Sequence, residues 1–259
     1  MDRRILPAVI ASGPHPTATW RPHTNDAQAR RTPFYAFGLE ISPAQMTPRA
    51  GCREVPIDNQ ETVGCCVYEA VRGAHRIVTD DEPISVLAGY WFDRCEQGSE
   101  LIDCGSNSEN AIAVVCTLGV VADHVWPFDA SKWAERPPLE AYASAAGRVM
   151  PATVWTQCPT LNMVEVAIRN GFPVIFGTAV DSKIFDYRPG QVLGAPNPHD
   201  IQGGHEMTIV DVDRSNPDRR VWRLRNSWGK RYGEDGYLWV DDAFLSNPSA
   251  GGFFALRKA

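Results

Sequence analysis

What this sequence lacks narrows its function before any motif is read. No apolar run reaches the roughly 20 residues that cross a bilayer, so no membrane partner is expected. No lysine- and arginine-rich run is present. The net charge of −6 comes from interspersed acids, which speaks for solubility and against a nucleic-acid partner. The seven cysteines include no CxxC pair, which argues against a zinc ribbon or a thioredoxin-type centre. No cofactor and no metal are expected. An odd cysteine count without regular spacing fits a reducing compartment better than a disulfide framework. The first residues, MDRRILPAVIASGP, place a short apolar patch after Arg3 and Arg4, but Pro7 interrupts it. They are not read as a secretory signal, and the chain is expected in the cytoplasm. No internal repeat or low-complexity tract is found.

What is present is an ordinary globular composition, 44% hydrophobic and 22% charged, in 259 residues, enough to bury a large core. Residues 1–50 are rich in proline and poor in periodic apolar positions. They read as an extended strap without a core of its own. Residues 51–150 read as a helical lobe. Val67, Ala70, Val71, Ala74, Ile77 and Val78 are spaced for one face of a helix over 66–79. Gly73 weakens that helix by about 1 kcal/mol relative to alanine and marks close packing of a neighbour. Further helices are predicted from Ile84 to Cys95 and from Ser108 through Val115, which makes Cys95 and Cys116 packing thiols. Residues 151–259 change period. Thr160 caps a helix from Leu161 to Asn170, closed by Gly171. Strand-like runs follow at Phe172–Val180, Glu206–Asp213, Arg219–Ser227, Gly236–Val240 and Phe253–Leu256. Helices first and strands second is the α+β pattern. Two segregated lobes make a cleft between them the expected site.

One stretch stands out, Pro56-Ile57-Asp58-Asn59-Gln60-Glu61-Thr62-Val63-Gly64-Cys65-Cys66-Val67. It leads a polar amide and a turn glycine into a cysteine that opens the first helix. Backbone N–H groups and the helix dipole at such a position favour thiolate over thiol. A thiolate that attacks a carbonyl needs a proton-transfer partner, a group that orients the partner, and donors for the developing oxyanion.

Six histidines could be that partner. His15 and His23 fall in the strap, His75 lies two to three turns along the first helix, His124 follows the third helix, and His199 sits in a loop. His205 follows Gly203-Gly204 at the mouth of an apolar strand, Glu206-Met207-Thr208-Ile209-Val210. On position alone it is either catalytic or a loop-edge histidine. The next strand ends in Arg225-Asn226-Ser227-Trp228-Gly229. Its asparagine can accept an imidazole N–H under a shielding indole, or it can simply end the strand.

Taken together, these three segments resemble the papain-like cysteine peptidases. The family places a glutamine six residues before its nucleophile, as Gln60 stands before Cys66 in Gly64-Cys65-Cys66-Val67. Its Gly-Gly-His motif is similar to Gly203-Gly204-His205. Its Asn-Ser-Trp-Gly block with the following Tyr-Gly-x-x-Gly-Tyr resembles Asn226-Ser227-Trp228-Gly229 and Tyr232-Gly233-Glu234-Asp235-Gly236-Tyr237. The resemblance spans about residues 50–245. It implies a papain-like two-lobe α+β fold with a helical N-terminal lobe and an antiparallel, β-barrel-like C-terminal lobe. It also implies a cysteine-type peptidase that cuts peptide or protein substrates through a thioester. Cys66 would be the nucleophile, His205 its ion-pair partner and general acid, and Asn226 the orienting group. The Gln60 side chain and the Cys66 N–H would form the oxyanion hole, and Trp228 would cover the His–Asn bond.

The departures are local. Cys65 replaces the usual serine, so two thiols stand side by side, and the spacing from Gln60 selects Cys66. Val67 replaces the usual tryptophan. Val63 replaces a cysteine, so the family's disulfide at that point cannot form. Glu206 replaces a small residue, and a cleft-facing carboxylate there would favour the imidazolium. Asp103–Asn107 stands where the family has a glycine-containing loop but lacks the usual double glycine, so no pocket wall follows from it. Residues 1–50 are too short and proline-rich for the family's helical propeptide and are expected to pack on the enzyme and be retained. Two other readings share the motifs: a catalytically silent binding or structural protein, and a transpeptidase or peptidoglycan-directed hydrolase.

Overall fold

The computed structural model describes residues 47–216 and 218–258. The expected packing of the N-terminal strap lies almost wholly outside these residues.

The helix that opens at the cysteine pair, α1 (Cys66–Val78), is buried on nearly every side rather than on one face. Its apolar positions Val67, Ala70, Val71, Ala74 and Ile77 are covered, and so are Glu69, Arg72 and His75. It packs against helices on one side and against the sheet on the other. Helix α2 (Val86–Glu96) starts at Ser85, whose hydroxyl accepts from the Ala88 N–H at 3.2 Å. Helix α3 (Ser108–Thr117) starts at Asn107, which accepts from the Asn110 N–H at 2.9 Å. Each cap satisfies one donor the first turn leaves open. Helix α4 (Leu139–Ala146) was not legible, because the side chains it buries are only Ala141 and Ala145. Thr160 caps α5 (Leu161–Arg169) as expected, accepting from Met163 N–H at 3.3 Å. Cys95 is exposed, contrary to the packing role expected of it, because it falls on the outer side of the last turn of α2.

The five predicted strands all form, and two short ones join them. The antiparallel order is β2 (Trp155–Gln157), β7 (Gly251–Leu256), β3 (Val174–Asp181), β4 (Ile201–Asp213), β5 (Val221–Arg225), β6 (Tyr237–Asp241). A further strand, β1 (Arg49–Gly51), pairs with the far end of β4, Ala50 opposite Val212. A four-residue helix, α6 (Asp242–Leu245), follows β6.

The expected β-barrel-like lobe is corrected here: the sheet is open, and β2 and β6 do not meet. The outer edge of β6 is taken by a loop instead of a closing strand. Leu193 donates to Trp239 O and accepts from Asp241 N–H, both at 2.9 Å. At the other edge β2 is three residues long, and its Trp155 packs with α1. Capping an edge with a loop removes the drive to close it.

Two apolar clusters result. One gathers Val67, Val71, Leu87 and Val115 with Trp155, Ile175 and Leu256. The other lies between the sheet and α5 and includes Val164, Ile168, Phe176, Met207, Trp222 and Leu238. Among the described residues, no helix is long and apolar enough to cross a membrane.

Candidate active site

Gln60, His205 and Asn226 are brought together where the segment before α1 meets the end of β5, and Cys66 opens the helix that follows that segment. Residues 58–60 run antiparallel to 227–229. Gln60 N–H donates to Ser227 O at 2.9 Å, Gly229 N–H donates to Asp58 O at 3.0 Å, and Asn59 faces Trp228. The segment before the helix is thereby sewn to the segment that carries the asparagine.

From there the chain must turn sharply into α1. Glu61 takes a left-handed φ of 52°, uncommon outside glycine and a sign of imposed geometry. Gly64 then passes so close to Asp103 that a Cβ would sit 2.6 Å from its Oδ1. The Gly64 N–H donates to both carboxylate oxygens at 3.0 and 3.1 Å, and Tyr90 Oη donates to Oδ1 at 2.6 Å. Cys65 precedes the first helical residue and Cys66 opens α1. Burial, then the charge of Glu69, pushes the Cys65 thiol well above its ordinary range, so it stays protonated.

His205 and Asn226 meet across β4 and the end of β5. His205 Nε2 lies 2.7 Å from Asn226 Oδ1, and Ser227 N–H donates to the same oxygen at 2.8 Å. A backbone N–H is an unambiguous donor, so it fixes the amide with its oxygen toward the ring. Nε2 therefore carries the hydrogen, and Nδ1 keeps its lone pair in the neutral ring. Trp228 stacks on the imidazole with centroids 4.7 Å apart, backed by Phe185 at 5.1 Å and met edge-on by Tyr232. His205 is 2% exposed. Burial pushes its pKa down to about 4, against the Asn226 hydrogen bond, which works the other way.

Gln60 joins the same network. Its Oε1 accepts from Ser227 Oγ at 2.6 Å and its Nε2 donates to Val63 O at 2.9 Å, leaving one amide hydrogen unused by either contact. One hydrogen-bonded chain thus runs Gln60, Ser227, Asn226, His205. Cys66 is fully buried.

The other histidines stand elsewhere. His15 and His23 lie outside the described residues. His75 is buried about 13 Å along α1 from Cys66. His124 is exposed beside Glu82, and His199 is in an exposed loop. Glu206, next to His205 on β4, is buried, and burial pushes its carboxyl well above the usual range, against the hydrogen bond from Ser108. Ser227, Asp103 and Tyr90 were missed as supporting groups. Only Ser227 had a sequence signal, its place inside the asparagine motif.

None of the seven cysteines is in a disulfide, and no cluster of metal-binding side chains occurs among the described residues.

The sequence profile of the family described as Papain family cysteine protease matches residues 42–245. A peptidase C1-like protein of Acanthamoeba polyphaga mimivirus is 27% identical over 196 residues, which cover 70% of this chain and 62% of that protein. Zingipain-2 of Zingiber officinale is 25% identical over 199 residues, 71% of this chain and 80% of that protein. The solved structure of xylellain, a cysteine protease from Xylella fastidiosa, superposes with a TM-score of 0.79 at 20% identity. It covers 96% of this chain and 99% of its own. The bromelain protease from Ananas comosus superposes with a TM-score of 0.62 at 16% identity, covering 82% of this chain and 100% of its own.

Proposed function

The chain belongs to the papain family of cysteine proteases, and from that premise we propose that it hydrolyses peptide bonds through a thioester on Cys66. The substrate is a peptide or protein. The observation that carries the reading is the hydrogen-bonded chain from Gln60 through Ser227 and Asn226 to His205, which ties an oxyanion donor and an oriented imidazole into one unit.

In the acylation half, Cys66 Sγ bonds to the scissile carbonyl carbon and the carbonyl oxygen takes up negative charge. The free Gln60 amide hydrogen and the Cys66 backbone N–H stabilise that charge. As the C–N bond breaks, the His205 imidazolium gives its proton to the leaving amine. In the second half, His205 takes a proton from water and the hydroxide bonds to the acyl carbon. The S–C bond then breaks and returns the thiolate. Asn226 holds the ring in one tautomer throughout, as the third member of a triad does. The absence of any disulfide among the seven cysteines supports a cytoplasmic setting.

Gln60→Ala tests the role of the network. It is expected to lower kcat on a fluorogenic peptide by about 10²–10³ with a smaller change in KM. A variant within threefold of wild type contradicts the assignment. The full burial of Cys66 favours a second reading, a catalytically silent binding protein. That reading predicts no turnover of any peptide by wild type.

His205 gives a pH test. Burial alone holds the ring neutral above about pH 4, whereas a neighbouring thiolate favours the imidazolium and raises that value. In Cys66→Ala the ring is expected to titrate near pH 4 by NMR, and in wild type about 1–3 pH units higher. Identical titrations would show that Cys66 and His205 form no ion pair.

A further inference from the structure

At the end of α1 far from Cys66 the fold leaves a hollow for which acyl transfer has no use. Its volume is about 250 Å³, and it lies between the last turn of α1, the segment 148–154 and the end of β7. Val120, Val154 and Leu256 are buried and make its apolar floor, while Asp81, Val149 and Pro151 are exposed and stand at its mouth. The hollow is therefore open to solvent. Sites for drug-sized ligands measure about 300–1,000 Å³, so this one suits a smaller molecule.

Its charged groups are mostly cationic. Arg148 and Arg257 line it, and among the described residues Asp81 is its only acid. Arg148 Nη2 donates to Glu82 O at 3.3 Å, a neutral acceptor that does not cancel the guanidinium charge. The Glu82 carboxylate is taken by His124. His75 lines the hollow too. The residue is 5% exposed, its Nδ1 is buried without a hydrogen-bond partner, and the little left open fronts this space. An unpaired ring nitrogen in a protein interior is costly. Burial lowers the His75 pKa, with the charge of Asp81 opposing and those of Arg148 and Arg76 adding to the fall.

The C-terminal end of a helix ordinarily repels an anion. Here its carbonyls are answered from within the protein. The Thr79 N–H and Oγ1 both donate to His75 O at 3.0 Å, and Arg53 donates to Arg76 O and Thr79 O. Two guanidinium groups and an unpaired imidazole over an apolar floor are matched by a ligand with an anionic head and a hydrocarbon body.

We propose that this hollow is a binding site for a small carboxylate on a short apolar body, its oxygens held by Arg148 and Arg257 beside the His75 ring. The hydrocarbon end lies against Val120, Val154 and Leu256. The site is separate from the cleft and does not depend on the acyl-transfer reading. A neutral isostere leaves the guanidinium charges unanswered, and an ammonium meets repulsion. A free branched-chain acid and the C-terminal residue of a peptide offer the same chemistry.

The test is an NMR titration of the full chain that follows its imidazole signals, with isocaproate, isocaproamide, N-acetylleucine and inorganic phosphate as probes. Isocaproate is expected to bind with a Kd on the order of 1 mM or tighter, shifting the His75 signals and leaving those of His205 in place. The amide is expected to bind at least about tenfold more weakly. Arg148→Gln and Arg257→Gln are each expected to weaken isocaproate by at least about fivefold, with thermal unfolding showing that each variant is folded. His75→Phe, which keeps the ring and removes its nitrogens, is expected to weaken it by a smaller factor. Tighter binding of N-acetylleucine than of isocaproate assigns the site to peptide C-termini, and the reverse order assigns it to free acids. Absence of saturable binding, equal affinity for acid and amide, or phosphate bound as tightly as isocaproate overturns the proposal. So does a shift at His205 in place of His75, or an affinity unmoved in both arginine variants.

Discussion

Cys66→Ala is expected to lower kcat/KM on peptide substrates by about 10⁵–10⁶-fold, the scale on which removing a nucleophile abolishes covalent catalysis. Cys65→Ala is expected to stay within about tenfold of wild type. The contrast matters because the two thiols are adjacent and both are fully buried. Their surroundings separate them. Cys65 precedes the first helical residue, among core side chains and near Glu69, where burial and negative charge hold it protonated. Cys66 begins α1, at the end where the helix presents unsatisfied N–H groups. A protonated core thiol is a poor nucleophile at neutral pH, so loss of Cys65 costs packing rather than chemistry. Steady-state kinetics on both variants checks this. Equal losses would mean that the thiols act together.

The second large effect is on stability. Asp58→Ala is expected to cost about 3–5 kcal/mol, the loss typical when one member of a buried ion pair is removed. On a chain of this size that lowers Tm by roughly 10 °C. Asp58 is bound by Arg76 Nη1 at 2.7 Å and by Arg225 Nη2 at 2.7 Å, and Arg72 Nε lies 3.4 Å away. The Arg225 side chain is 1% exposed and reaches Asp58 by lying across α1 at Gly73, where a Cβ would stand 2.5 Å from its Nη1. One carboxylate therefore fastens the helix of Cys66, the residues just before Gln60 and the strand that ends just before Asn226.

Glu69 sets the pH dependence of this loss. Burial and the charge of Asp58 push its carboxyl up to about 8, against the pull of Arg72, Arg225 and Arg76. It is neutral at low pH, so the loss from Asp58→Ala is greatest there. The loss shrinks as pH rises and Glu69 ionises to answer the same guanidinium groups. Urea unfolding at pH 6 and pH 9 measures both the size and the trend. The exposed pair Arg53–Asp80, with side chains 47% and 82% accessible, is the contrast: Asp80→Ala is expected to leave the urea midpoint close to that of wild type.

The sequence carried the site better than the fold around it, for physical reasons. Gln60, Cys66, His205 and Asn226 each sit within a motif long enough to identify, so their proximity could be expected. The groups that hold them could not. Ser227 Oγ reaches Gln60 across 167 positions of sequence, Arg225 reaches Asp58 across the same span, and Asp103 meets Gly64 across 39. Local period and spacing carry no trace of such pairings. Strand existence was legible from runs rich in Val, Ile, Phe and Trp between Gly/Pro/Asn/Asp clusters, but closure was not, because it depends on the loop at Leu193 covering β6. Helix α4 escaped because it buries only Ala141 and Ala145 and leaves Leu139 exposed. Gly73 was legible as a point of close approach, although its neighbour, Arg225, was not.

The most direct test of the account is to trap the acyl-enzyme. Wild type is mixed with a slowly deacylating peptide ester, quenched in acid within the first turnover, and mapped by tandem mass spectrometry that resolves the two adjacent cysteines. One acyl group per molecule is expected, on Cys66, and none in Cys66→Ala. An acyl group on Cys65, or turnover of the ester with no adduct on Cys66, would contradict it.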